Sequence, residues 1–255
     1  MQENNMSDYK NRIKELPFNM IIPNVVTLLA LSCGVTAMRW AVQEKWELAV
    51  VAIILAAIFD GLDGRVARLL QGTSKFGAEL DSLSDFVSFG VAPAFVMYHW
   101  AMLNYPKVGW ILALMLAICC ALRLARFNTM LDDEPRPSYW NYFFVGLPAP
   151  GGAMVAIAPL MLYIYEPSGI FASPWFVGIF MFLAGALMAS RVPTICIKKL
   201  KISAKYMPMI LVAAALYVGC LFTQFWLTMS ISTILYLLMT PVGVAVFAKM
   251  KKSYE

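Results

Sequence analysis

The chain has 255 residues, of which 61% are apolar and 14% are charged, and its mean hydropathy is +0.70. This composition excludes an ordinary soluble domain. The net charge of +5 comes from basic residues that flank apolar segments, which indicates contact with anionic lipid rather than with nucleic acid. We therefore expect an all-α, polytopic integral membrane protein, folded as a helix bundle.

Eight apolar segments follow one another along the chain, each about as long as a helix that crosses a bilayer. Residues 1–19 precede them and are polar, with no apolar run that would make a cleaved signal peptide. We interpret them as a cytoplasmic juxtamembrane segment. The predicted spans are 20–39, 47–70, 76–103, 108–128, 147–165, 171–190, 206–223 and 225–248.

The basic residues predict the orientation of these spans. If both termini are cytoplasmic, 17 of the 20 Lys and Arg residues lie at inner ends, and only Arg39, Lys45 and Lys107 lie outside. Such an excess of inner positive charge is typical of proteins in the cytoplasmic membrane. The same orientation places the inner ends of the second and third spans, with their acidic residues, toward the cytoplasm.

Four aspartates stand out in these two spans: Asp60, Asp63, Asp81 and Asp85. A carboxylate at the centre of a bilayer-spanning helix costs at least ~2.5–3.5 kcal/mol on insertion scales, so four of them need a neutralising partner. Spacings of three and four residues put each pair on one helix face, and the glycine-bounded segment 71–77 predicts a hairpin between the helices. Mg²⁺ and Mn²⁺ favour such hard oxygen ligands. The sequence therefore predicts a divalent metal site between the two helices.

Small residues and one arginine accompany the aspartates. Gly64, Ala67 and Gly77 leave room for a bulky ligand or for close helix approach, and Arg68 offers donors suited to phosphate. Together with the aspartates and their metal, these residues predict a site for a reaction at phosphate groups.

Two other classes of protein remain as alternatives. A transporter could line an aqueous pathway with intramembrane acids, and an intramembrane prenyltransferase could use aspartates with Mg²⁺ and a diphosphate. A prenyltransferase would need aspartate clusters on two distant hairpins, whereas all four aspartates here lie in one. The single histidine, His99, lies toward the outer end of the third span, which excludes histidine-based catalysis at a cytoplasmic site.

Eight positions of the segment 60–85 fit the pattern D-x2-D-G-x2-A-R-x8-G-x3-D-x3-D. This pattern resembles the signature of the CDP-alcohol phosphotransferases, integral membrane enzymes with a six-helix core. The resemblance implies that residues 20–205 form this core and that residues 206–255 add two transmembrane helices and a basic tail. It also implies two bound Mg²⁺ or Mn²⁺ ions, which hold the pyrophosphate of a CDP-linked donor.

The same resemblance implies a role for each residue of the pattern. Asp60, Asp63 and Asp81 would be metal ligands, and Asp85 would be the general base for the acceptor alcohol and a further ligand. The residues implied to contact the donor, CDP-diacylglycerol, are Asn24, Thr27, Asp60, Gly64, Ala67, Arg68 and Gly77.

Four further segments are similar to the members of this family that use L-serine as acceptor: 80–94, 121–128, 146–153 and 189–201. The implied reaction moves the phosphatidyl group of CDP-diacylglycerol to the serine hydroxyl, giving phosphatidylserine and CMP. Glycerol 3-phosphate, inositol or choline remain alternative acceptors. A homodimer surrounded by membrane lipids is implied by the same resemblance.

Arg123, Arg126 and Asn128, at the inner end of the fourth span, are the predicted serine contacts. A guanidinium group suits the serine carboxylate. Arg126 is preferred because it lies nearer the helix end and has Asn128 beside it. The alternative is that both arginines extend to the lipid headgroups.

Overall fold

The computed structural model describes residues 18–130, 143–195 and 206–254. Most of the predicted juxtamembrane segment, 1–17, lies outside the described residues. Residues 131–142 and 196–205 also lie outside the described residues. The predicted domain boundary after residue 205 therefore lies at the edge of a segment that is not described.

Each of the eight predicted spans is helical, so the all-α prediction is confirmed. The third span consists of two α-helices, and the two strands within the described residues have three residues each. The elements are α1 (Phe18–Val42), α2 (Trp46–Leu69), α3 (Lys75–Asp85), α4 (Ala92–Met97), α5 (Pro106–Met130), β1 (Phe143–Val145), α6 (Ala149–Tyr165), α7 (Pro174–Ala189), β2 (Pro193–Ile195), α8 (Met207–Thr223) and α9 (Phe225–Tyr254).

Four helical segments are long and apolar enough to cross a bilayer by themselves, and α6, α7 and α8 are shorter apolar helices. The large apolar side chains on the outer faces remain exposed, as expected for surfaces that face lipid. The chain is an integral membrane protein. The four long segments are Ile21–Val42, Lys75–Met102, Pro106–Thr129 and Phe225–Met250.

The third span is continuous but irregular, which the sequence did not predict. Between α3 and α4 the backbone widens into π-helix over Phe86–Val91, and it widens again after α4 over Tyr98–Met102. Pro93, which lacks an N–H group, follows the first wide turn and removes one helical hydrogen bond there. The wide turn begins immediately after Asp85, so it does not disturb the spacing of Asp81 and Asp85.

The helices pack around α6, in which ten of 17 residues are buried. α7 and α9 pack against α6, and α1 pairs closely with α2. By contrast, every residue of α8 is at least partly exposed.

A short antiparallel ribbon connects the chain before α6 with the chain after α7. Phe143 pairs with Ile195, and Val145 pairs with Pro193. Gly146 follows with a positive φ of 76°, and a Cβ at this residue would lie 2.8 Å from the Ser190 carbonyl oxygen. A glycine is therefore required at this turn, which brings the end of α7 close to the start of α6.

Candidate active site

The four aspartates of α2 and α3 come together, as the helical spacing predicted. Carboxylate oxygens of Asp60, Asp63 and Asp81 lie within 4.8 Å of one another. The Asp85 carboxyl group contacts that of Asp60 from the next turn of α3. Asp63 is only 6% exposed. Three to four closely spaced carboxylates in a largely apolar bundle form a donor set that fits a hard divalent cation.

Thr27 of α1 orients one of these carboxylates. Its hydroxyl donates to Oδ2 of Asp63 at 2.8 Å and lies 3.1 Å from the Pro23 carbonyl oxygen. Thr27 is itself buried, with 4% of its surface exposed. The sequence placed Thr27 near the donor, and the structure gives it this additional contact. A hydroxyl group that holds a carboxylate in one orientation restricts the positions at which this carboxylate can bind a cation.

A cavity of about 150 Å³ opens beside the aspartates, between α1 and the α2–α3 hairpin. Asp63 and Asp81 form part of its wall. It is also lined by five of the residues predicted to contact the donor: Asn24, Thr27, Gly64, Ala67 and Gly77.

Gly64 and Gly77, two of the three glycines that line this cavity, serve different purposes. A Cβ at Gly64 would meet no atom within 4 Å, so its side of the cavity is open. A Cβ at Gly77 would lie 2.9 Å from Oδ1 of Asn24, so glycine is needed for the close approach of α3 to α1. The Gly77 N–H also donates to Oγ of Ser74, which caps the first turn of α3.

Arg68 lies at the edge of this region rather than in the cavity wall. Its Nε donates to the Gly64 carbonyl oxygen at 2.8 Å, and its side chain is exposed. Its predicted contact with the donor phosphates remains a prediction.

Two buried serines, which the sequence interpretation missed, hold the third span against α1. Ser84 donates to the Thr27 carbonyl oxygen at 3.1 Å, and Ser88 donates to that of Ala30 at 3.2 Å. Gly34 permits this contact, because a Cβ there would lie 2.6 Å from Oγ of Ser88. The serines' four-residue spacing, in phase with the aspartates, is the signal that could have identified them.

The two arginines of α5 have different environments. Arg126 donates from Nη1 to the Ser190 carbonyl oxygen at 2.9 Å and from Nη2 to that of Ala189 at 2.7 Å. It therefore satisfies carbonyl groups at the end of α7. Asn128 donates to Oγ of Ser82, one residue from Asp81.

Arg123 is influenced by the aspartates instead. It interacts electrostatically with Asp85 and, more weakly, with Asp60. Its Nε is buried and has no hydrogen-bond partner among the residues that the structure describes. A buried guanidinium donor without an acceptor is costly, so this position favours an anionic ligand.

Tyr236 of α9 is a further polar neighbour of Arg123 that the sequence interpretation missed. It lies within an apolar span, and no motif around it distinguishes it from a packing residue.

Comparisons with known proteins identify the family of this chain. The family model for CDP-alcohol phosphatidyltransferase matches residues 20–196. The chain is 46% identical over 173 residues to the CDP-diacylglycerol–serine O-phosphatidyltransferase of Mycobacterium leprae, covering 68% of this chain and 57% of that protein. It is 33% identical over 206 residues to the protein of the same name from Helicobacter pylori, covering 79% and 84% of the two chains.

A protein of that name from Methanocaldococcus jannaschii is 40% identical over 136 residues, which cover 53% of this chain and 58% of that protein. The chain thus spans less than two thirds of the length of the mycobacterial relative. The region that the family model matches contains the aspartate hairpin. Since the family model extends from the first predicted span to the end of β2, the chain belongs to the CDP-alcohol phosphatidyltransferase family.

Proposed function

We propose that this protein transfers the phosphatidyl group of CDP-diacylglycerol to the hydroxyl group of L-serine, forming phosphatidylserine and releasing CMP. The observation that carries the proposal is the cluster of Asp60, Asp63 and Asp81 beside a cavity lined by the residues predicted to contact the donor. The relatives named for this same reaction support the choice of acceptor.

The donor side of the site is suited to a lipid-linked pyrophosphate. We assign Asp60, Asp63, Asp81 and Asp85 to two Mg²⁺ or Mn²⁺ ions, which when bound would neutralise the charge of the pyrophosphate. Gly64 leaves the cavity open toward the expected nucleotide, and Thr27 holds the Asp63 carboxylate in a fixed orientation.

Asp85 is assigned as the general base. The serine oxygen forms a new bond to the phosphorus next to diacylglycerol, the bond from that phosphorus to the CMP oxygen breaks, and the hydroxyl proton passes to the Asp85 carboxylate. Two observations support this assignment: Asp85 contacts Asp60, one of the proposed metal ligands, and Arg123 interacts electrostatically with Asp85.

Arg123 is the residue that we assign to the serine carboxylate. Its buried Nε needs an acceptor that the described residues do not supply, whereas two donors of Arg126 are already bound to carbonyl oxygens. The serine contacts predicted for Arg126 and Asn128 are thus secondary in this proposal. Asn128 donates a hydrogen bond to Ser82, so in this proposal its effect on serine binding is indirect.

We also propose that the protein lies in the cytoplasmic membrane as a homodimer, with both termini and the active site facing the cytoplasm. The positive-inside charge pattern supports this orientation. Arg126 contacts Ser190 and Asn128 contacts Ser82, so helix ends that are predicted to be cytoplasmic lie together.

Cysteine labelling tests this orientation. Single cysteines placed in the 131–142 connection should react from the cytoplasmic side. Labelling from outside intact cells would contradict the orientation.

The decisive experiment is an acceptor panel with the purified full chain. CDP-diacylglycerol is supplied with Mn²⁺ or Mg²⁺ and with L-serine, glycerol 3-phosphate, inositol or choline, and both CMP and the lipid product are measured. We expect rapid CMP release with serine only, and none after chelation of the metal. Preference for another acceptor would contradict the serine assignment, and substrate flux in vesicles without CMP release would indicate a transporter.

A further inference from the structure

The helix α3 carries Asp81 and Asp85 on one face, and a serine lies on each side of that face. Residues three apart are neighbours on a helix surface, so Ser84 flanks Asp81. By the same spacing Ser82 flanks Asp85, about 60° away around a helix that turns by about 100° per residue. Although Ser82 follows Asp81 in the sequence, it is closer to Asp85 around the helix.

On one flank, α3 is bonded to α1, the helix against which it mainly packs. The buried Ser84 donates to the Thr27 carbonyl oxygen at 3.1 Å. One turn later, beyond the end of α3, the buried Ser88 donates to the Ala30 carbonyl oxygen at 3.2 Å. These bonds fix the distance between the two helices. Because both lie on one side of α3, they do not by themselves prevent the helix from rolling about that side.

On the other flank, α3 is bonded to α5 through Ser82 and Asn128. Nδ2 of Asn128 donates to Oγ of Ser82 at 3.0 Å. The Ser82 hydroxyl lies 3.1 Å from the Ala78 carbonyl oxygen of its own helix and 3.4 Å from Oδ1 of Asn128. Its single proton is best placed toward Ala78, so toward α5 it accepts. Both side chains are half-buried. The bond therefore opposes a roll of α3 away from α5.

This bond also connects two helices whose relative placement matters for the proposed reaction. Asn128 lies in the last turn of α5, five residues after Arg123. Ser82 lies in α3, three residues before Asp85. Misplacing a reacting group by about 1 Å can cost about 10²-fold in rate. Since α3 has only 11 residues and passes directly into the wide turn, its rotation depends on such lateral contacts.

We propose that Ser82 and Asn128 are positioning residues for Asp85, the assigned general base. Their hydrogen bond holds the rotation of α3 that turns the Asp85 carboxylate toward the acceptor, while the serines on the opposite flank hold the helix against α1. Asn128 then acts mainly on turnover instead of as a direct serine contact. This inference rests on the proposed function, since it requires Asp85 to accept the proton of the acceptor hydroxyl.

The first test uses Asn128→Ala and Ser82→Ala, each of which removes one partner of the bond. We expect kcat to fall roughly tenfold in each variant, while the KM for L-serine changes by less than about threefold. The matched control is Thr129→Val, at the residue after Asn128, whose exposed hydroxyl donates to the Arg126 carbonyl oxygen of its own helix at 3.0 Å. The kcat of the control should stay within about twofold of wild type.

The second test separates positioning from a general structural role. If the two residues act as one unit, the double variant should have about the same kcat as either single variant. In the background of Asp85→Asn, which removes the proposed base, Asn128→Ala should lower kcat no further. Thermal unfolding in detergent is measured on each preparation, and kcat is expressed per folded protein, so that a loss of folded enzyme is not counted as a loss of turnover.

The outcomes separate this inference from the proposed function, which the acceptor panel with the wild-type protein tests independently. An unchanged kcat in Asn128→Ala, a rise only in the KM for serine, or an equal fall in kcat with and without Asp85 would each show that the positioning role is wrong. The proposed function would then stand if the wild-type protein uses serine. Near-normal turnover in Asp85→Asn would overturn both the base assignment and this inference, and the choice of acceptor would be unaffected.

Discussion

The donor side and the acceptor side of this site are built in different ways. The donor side comes mainly from one hairpin, α2–α3, in which helical spacing alone brings the aspartates together. The proposed acceptor side rests on Arg123 of α5, which is far from the hairpin in the sequence but interacts electrostatically with Asp85. The comparison teaches that a sequence motif can locate the chemistry of an enzyme while leaving its acceptor pocket to tertiary packing.

The largest effect on turnover is expected for Asp85, which is assigned both to the metal ions and to the acceptor hydroxyl. Asp85→Asn keeps the size and polarity of the side chain but removes the base, so turnover should fall roughly 10²-fold or more. Donor binding, titrated at several Mn²⁺ concentrations, should stay close to wild type. Asp60→Asn serves as the comparison, because a neutral amide is a poorer ligand for a hard cation and should weaken donor binding itself. Near-normal turnover in Asp85→Asn would show that the base lies elsewhere.

A smaller and more selective effect is expected on the acceptor side. Arg123→Gln removes the guanidinium group, and the KM for serine should rise about 30-fold, within the range for a lost hydrogen bond to a charged group. The KM for CDP-diacylglycerol should hardly change. Steady-state kinetics with each substrate varied in turn provide the measurement. An equal rise in both KM values would contradict the assignment of Arg123 to the acceptor alone.

On the donor side, Thr27→Val tests whether the orientation of a carboxylate matters. The change removes the 2.8 Å hydrogen bond to Asp63 with little change in shape. The Mn²⁺ concentration for half-maximal activity should rise roughly tenfold, as for other residues that orient metal ligands. Thr36→Val in the same helix is the control, because that half-buried side chain bonds to the Ser32 carbonyl oxygen of its own helix at 2.6 Å. If the two variants depend on Mn²⁺ concentration in the same way, the hydrogen bond from Thr27 does not contribute to metal binding.

The smallest kinetic effect is expected for Arg126→Ala. Because Arg126 bonds to carbonyl oxygens at the end of α7, its loss should reduce the free energy of unfolding by about 1–3 kcal/mol. The KM for serine should change by no more than about twofold. Thermal unfolding in detergent and the serine titration are measured on the same preparation. A larger rise in this KM than in Arg123→Gln would restore Arg126 as the preferred serine contact.

The sequence predicted the eight helices and the meeting of the four aspartates because both depend on short-range periodicity. It could not distinguish the environments of Arg123 and Arg126, because residues three apart on one helix differ in environment only after the neighbouring helices are packed. The wide turns of the third span were also missed, because one proline in an apolar segment does not specify how the backbone accommodates it.

The wide turn at Phe86–Val91 lies between the aspartates of α3 and the apolar helix α4. A π-helical turn holds about one residue more than an α-helical turn, and each residue rotates an α-helix by about 100°. Deleting one residue from this turn should therefore return it to α-helix, with Asp81, Asp85 and the outer surface of α4 kept in their orientations. The same deletion within α4 would rotate every residue that follows it. The wide turn is thus a place where the third span can change its length by one residue without changing the surface that it presents to lipid.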